Sequence, residues 1–284
     1  MPVQWELLLF SLLVALGMGC FAFVAVSEWK GILASIRLPG AITSLVALGI
    51  GGIISSFHLG HPERIFHILG NVKSGISQEF VLTGITGLVI VLYIVLLLWQ
   101  EASAQARKNV AALGFILAAA VTFATGKIYV LGARPAWNSY LIPVLYLATA
   151  AALGVFAMYI WIVLKEPDAS ARQQVNKAAF YAQIGFAFMV VAYVIYLSVA
   201  PFPDPTRSPL RLLAGDLALL FWGAVVIIGL LVPMLLTRRQ MKGQATGSPL
   251  TVPVAGLLCT LIGAATIRAL MYLLGSSVHQ FIVG

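Results

Sequence analysis

The sequence predicts an all-α fold, a polytopic membrane protein built as a bundle of eight transmembrane helices, and three observations carry that expectation. Of 284 residues, 61% are hydrophobic and only 9% charged, a balance that a soluble domain of this size does not tolerate. Apolar stretches of the roughly 20 residues needed to cross a hydrocarbon core of about 30 Å recur along the whole chain. Only short polar punctuation separates them, so residues 1–284 read as a single integral membrane domain. Lipid offers no partner to backbone N–H and C=O groups, so the spans must be helices, and they are too long and too uniformly apolar for tilted barrel strands.

The first span, 5–27, follows Met1-Pro2-Val3-Gln4-Trp5-Glu6, which has neither a basic stretch nor a small-residue cleavage site, and is expected to be a retained helix. Lys30 and Arg37 separate it from the second, 40–59, near whose end His58 lies. Arg64 and Lys73 precede the third, 80–99, which Glu79 opens; Arg107 and Lys108 precede the fourth, 109–131, with Lys127 in its last turns. Arg134 stands before the fifth, 140–164, and Lys165, Arg172 and Lys177 before the sixth, 178–200. Arg207 and Arg211 lead to the seventh, 212–236, and Arg238, Arg239 and Lys242 to the eighth, 251–275, with Arg268 in its last third. No repeat of fixed period is present, and Gly and Ala within the spans suit close helix packing.

Lys and Arg are concentrated in the loops that follow odd-numbered spans, which should therefore be cytoplasmic, with both termini outside. The net charge of +8 largely reflects this distribution and is no argument for nucleic acid. His58, Glu79, Lys127 and Arg268 all fall at the outer end. A charge at depth costs on the order of 2.5–3.5 kcal/mol on insertion scales, so it lines a cavity, pairs, or snorkels to the interface. Snorkelling is an equal alternative for Lys127 and Arg268.

Histidine occurs only at positions 58, 61, 67 and 279, and only His58 has the depth a haem ligand needs, so no haem is expected in this chain. Cys20 and Cys259 stand alone, without the spacing that holds an iron–sulfur cluster or zinc. No phosphate loop, nucleophile elbow or zinc-protease motif is present. His58 without a metal can accept or donate a proton near neutrality, which suits a quinol head group that must release two protons on oxidation, with Glu79 passing a proton onward. On spacing alone, the favoured reading is that His58 caps its helix.

Longer strings change that balance. "SSFHLGHPERIFHILGNVKSGISQEF" (55–80), "ARPAWNSYLIPVLYLATAAALG" (133–154) and "IRALMY" (267–272) resemble, in order, motifs of the membrane-anchor subunit family of dimethyl sulfoxide reductase; the stretch between Asn71 and Glu79 is one residue shorter than that family's pattern. The resemblance implies a non-catalytic anchor in a prokaryotic cytoplasmic membrane, partnered by an iron–sulfur electron-transfer subunit and a molybdopterin catalytic subunit and drawing on the quinone pool. It implies menaquinol as the bound substrate, with His58 and Glu79 oxidising it. Arg64 would orient a carboxylate or a loop carbonyl. Trp137 would serve as a stacking wall or an interfacial belt aromatic, and Arg268 would anchor a quinone oxygen or a partner carboxylate. Iron–sulfur clusters and molybdopterin would reside in the partners. Gly60 and Pro62 are expected to end the second helix, and the helical, amphipathic spacing of Ile65, Phe66, Ile68 and Leu69 predicts an interfacial segment over 65–69. A secondary transporter using Lys127, Arg268 and Glu79 is the competing class, although inverted repeats and midplane charges are not evident.

Overall fold

Backbone groups that lipid cannot satisfy are satisfied within helices, and the computed structural model bears this out. It describes residues 3–57, 70, 74–166, 168–199, 207–244 and 247–275. Among them no strand occurs, and eight helices are long and apolar enough to cross a membrane. In chain order the elements are α1 (Trp5–Lys30), a 3-10 turn (Ala34–Ile36), α2 (Arg37–Ser56), α3 (Gly75–Leu98), α4 (Ala104–Lys127), a 3-10 turn (Pro135–Trp137), α5 (Leu141–Lys165) and α6 (Ala169–Val199). A short α7 (Arg207–Leu213) then precedes the seventh span, a π-helical stretch (Leu220–Leu231) running into α8 (Val232–Met241), and α9 (Thr251–Leu274) completes the set.

Several boundaries differ from the hydropathy windows by a few residues, and three of them have local reasons. α3 starts five residues earlier than 80–99 because Ser74 caps it, its hydroxyl accepting from the Ser77 N–H at 3.1 Å. Glu79 therefore lies in the second turn instead of opening the helix. α6 reaches back to Ala169 through polar turns that a hydropathy window cannot register. The seventh span begins at Leu220 rather than 212, because Arg211 clamps Asp216 through two bonds of 2.9 and 2.8 Å and folds the intervening residues into a turn.

α1 is the central element, packing on α2, α4 and α5 and along α9. Its crossing with α5 is a backbone contact: a Cβ on Gly19 would stand 1.9 Å from the Ala150 carbonyl oxygen, and one on Gly154 would stand 2.1 Å from the Gly19 carbonyl carbon. Without a hydrophobic driving force between helices in lipid, such approaches supply the dispersion contact that holds the bundle. Large apolar residues such as Leu88, Ile116, Phe188 and Leu258 point outward, as a lipid-facing surface requires.

A proline lies just past the π-helical stretch. Pro233 carries no N–H for the Gly229 carbonyl four residues earlier. The Gln183 side chain on α6 donates to that carbonyl instead, and Thr260 on α9 donates to the Gln183 oxygen at 3.2 Å. One missing backbone donor is thereby replaced by a buried side-chain relay joining three helices.

At the end where α1 finishes, Glu28 is buried and fully engaged. Arg37 donates to it at 2.8 Å and the Tyr93 hydroxyl at 2.9 Å, while Arg107 approaches within 3.6 Å. Arg37 also donates to the Ile32 carbonyl at 3.0 Å, which fixes the left-handed turn at Gly31 (φ 68°) and Leu33 (φ 54°). This network ties α1, α2, α3 and α4 together.

Candidate functional site

At the opposite end, α1, α3 and α5 begin and α4 and α9 finish. The "ARPAW" turn folds over this end because Arg134 donates to the Gly275 carbonyl and its guanidinium lies 4.7 Å above the Trp137 ring. The Trp137 indole donates to the Met271 carbonyl at 2.7 Å. Tyr129, Trp137 and Tyr272 then meet edge to face, with ring centroids 5.6–5.7 Å apart, and Tyr146 stands 6.1 Å from Tyr129. Edge-to-face contacts bring positive ring edges onto negative faces and make a stiff wall. The Tyr129 and Tyr272 hydroxyls share a bond of 2.6 Å.

Two charged side chains border this wall. Glu79 is 8% exposed, and its carboxyl has the Thr125 hydroxyl beside it and acts electrostatically on Tyr129, Tyr146 and Tyr272. Its Oε1 is buried without a hydrogen-bond partner among the described residues. Arg268 is 2% exposed. It donates to the Ala264 carbonyl and the Thr149 hydroxyl, both at 3.0 Å, and lies 4.2 Å over the Tyr146 ring. The Arg268 Nε and the Tyr146 hydroxyl have no partner within hydrogen-bond geometry, although Tyr146 sits beside both Ser11 and Arg268. A cavity of about 10 Å³ between Arg268, Tyr146 and Tyr193 matches one water molecule. Among the described residues neither Glu79 nor Arg268 belongs to an ion pair.

Of the residues singled out in the sequence, Glu79, Trp137 and Arg268 thus converge on one aromatic cluster. Trp137 is buried among these rings with its indole donor engaged. Arg268 is buried and its guanidinium bonds lie within the bundle, so snorkelling does not account for it. Lys127 is exposed at the last turn of α4, where a snorkelling lysine belongs. His58 and Arg64 lie outside the described residues, as do the other three histidines, Gly60, Pro62 and 65–69. Among the described residues no group of His, Cys, Asp or Glu could hold a metal ion.

Tyr129, Tyr146, Tyr272, Arg134 and Thr149 escaped the sequence reading. Arg134, Tyr146, Thr149 and Tyr272 fall inside the motif strings already quoted, and that position was the available signal. Tyr129 had none, since a tyrosine at a helix end reads as an ordinary membrane-interface residue.

The chain is thus an eight-span helical membrane protein with an aromatic cluster and two buried charged side chains, without an ion pair among the described residues, at one end. A family model described as "Polysulphide reductase, NrfD" matches residues 1–267, and the chain belongs to that family, the quinone-interacting membrane subunits of molybdopterin oxidoreductase complexes. Members of the family partner with iron–sulfur and molybdopterin subunits in those complexes, and a multi-pass inner-membrane protein fits both family and fold. No curated protein matches the chain.

Proposed function

We propose that this chain is the quinol-oxidising anchor of a complex of the dimethyl sulfoxide reductase type, that menaquinol is its substrate, and that the head group is oxidised at the end of the bundle bearing Glu79 and Arg268. One observation carries the reading. A buried carboxyl oxygen and a buried guanidinium nitrogen, both without a hydrogen-bond partner among the described residues, border the same stiff aromatic cluster. A hydroxylated aromatic ring supplies an O–H to donate to Glu79, and because the space of about 10 Å³ at Arg268 matches a single water, the ring oxygen accepts from Arg268 through that water. Leaving such groups unmade in a protein interior costs about 1–3 kcal/mol each, so a ligand that completes them binds with corresponding strength.

In the proposed reaction a quinol loses two electrons and two protons and leaves as the quinone. The electrons pass one at a time to the iron–sulfur partner subunit, and the protons leave through His58 and Glu79. Arg64 orients a carboxylate or a loop carbonyl. No haem or iron–sulfur cluster is assigned to this chain, so the quinol site and the receiving cluster must share one side of the membrane. Lys30, Arg37, Arg107, Lys165, Arg172, Arg238 and Arg239 sit at the other end of the helices, which supports an extracytoplasmic location for the site and for both termini.

The test is Glu79→Gln in the assembled complex, assayed with a menaquinol analogue and separately with an artificial dye donor. Quinol-driven turnover is expected to fall by at least about 10²-fold, the usual contribution of a positioned proton acceptor, while dye-driven activity and assembly persist. Unchanged quinol turnover would overturn the assignment.

A further inference from the structure

At the end of the bundle remote from Glu79, a cavity of about 290 Å³ lies between the end of α5, the start of α6, the end of α8 and the turn into α9. Its polar lining comes from Tyr159, Arg172, Gln173, Asn176, Gln240 and Ser248, and no carboxylate contributes. Asn176 has no solvent exposure. Its Nδ2 donates to the Thr237 carbonyl at 2.8 Å; because a carbonyl only accepts, the amide nitrogen must face that way. The Asn176 Oδ1 is left with no partner among the described residues. Arg172 is held on the cavity wall by the Val163 and Glu166 carbonyls, through Nε at 3.2 Å and Nη2 at 3.3 and 2.9 Å, and those bonds do not use Nη1.

We propose that this cavity binds the head group of an anionic phospholipid that carries a free hydroxyl, as phosphatidylglycerol does. The phosphodiester lies against Arg172, and the hydroxyl supplies the donor that Asn176 Oδ1 lacks. Gln173 and Gln240, both exposed at the mouth, can donate to phosphate and accept from hydroxyl alike. Lys165, Lys177, Arg238, Arg239 and Lys242 belong to the same end of the bundle, and basic clefts between helices at a membrane surface attract anionic head groups. A choline head group, of similar bulk but with no hydrogen-bond donor, leaves Asn176 Oδ1 unsatisfied. The source is taken to be the surrounding leaflet, because the cavity opens where α5, α6 and α8 end and Val163 and Val252 form its apolar wall.

The full chain in nanodiscs of mixed phosphatidylglycerol and phosphatidylcholine, analysed by native mass spectrometry, tests this. Wild type should retain phosphatidylglycerol preferentially. The Gln173→Leu/Gln240→Leu double variant alters only exposed side chains and should lower that preference by about tenfold, the loss expected from two hydrogen bonds. Asn176→Leu, which removes the acceptor for the hydroxyl, should lower it further. Equal retention of the two lipids by wild type, or an unchanged preference in the double variant, would overturn the proposal. Displacement of the lipid by soluble glycerol 1-phosphate at equal concentration would overturn the assignment to the leaflet.

Discussion

The two ends of the bundle treat buried charge in opposite ways. Around Glu28, one carboxylate receives Arg37, Tyr93 and Arg107 within 2.8–3.6 Å and joins four helices. Around Arg268 and Glu79, the two charges border one aromatic cluster with no ion pair among the described residues, and each keeps an unsatisfied atom. The Glu28 network also leaves one atom, Arg37 Nε, without a partner, but its charges are matched. Matched buried charges hold structure together, whereas buried charges with no counter-charge among the described residues persist where another molecule completes them. The two ends therefore should separate stability from turnover.

Glu28→Gln should have the largest effect. It leaves Arg37 and Arg107 without their counter-charge in the interior, a change that costs about 3–5 kcal/mol. Thermal unfolding of the purified chain and its recovery in the complex would show the loss, while any assembled fraction should oxidise quinol normally. Arg268→Leu should do the reverse, since it removes a cation that has no carboxylate partner. Melting should hardly move, while the KM for quinol should rise roughly tenfold, the worth of a hydrogen bond from a charged donor, with dye-driven activity intact. Unfolding by Arg268→Leu and tolerance of Glu28→Gln would invert the comparison.

Two tyrosines sharpen the contrast with smaller changes. Tyr93→Phe deletes one bond to Glu28 and Tyr272→Phe deletes the bond to Tyr129, each worth about 1 kcal/mol. The first should appear as a lower melting temperature with unchanged turnover, the second as a several-fold loss of quinol turnover with little change in melting. The smallest effect belongs to Asp216, an exposed residue whose carboxyl the hydrogen-bonding Arg211 guanidinium holds below its usual range. Its contribution is present above the unfolded-chain value of about 3.9 and disappears as pH falls through the folded one. Asp216→Asn should leave melting at neutral pH within error, as expected of a surface pair.

Much of the fold was legible in the sequence because a hydrocarbon solvent constrains every backbone group, and composition alone then dictates eight helices. Two of the misplaced boundaries share one cause: side-chain hydrogen bonds, the Ser74 cap and the Arg211–Asp216 clamp, decide those helix ends, and hydropathy does not register them. Glu79, Trp137 and Arg268 stood out because charge and indole are rare in an apolar chain. Tyr129, Tyr146 and Tyr272 passed unnoticed because each is unremarkable alone and acquires meaning only from the other rings.

What the sequence by itself determined is the solvent and the topology class, since transfer of apolar and polar groups between water and lipid is additive along a chain. What only the tertiary structure decided is which charges are paired. Glu28 and Glu79 read alike as letters, single carboxylates near helix ends. Pairing depends on the few ångströms between helices that glycine contacts such as Gly19 with Gly154 bring together, and those separations are a property of the packed bundle.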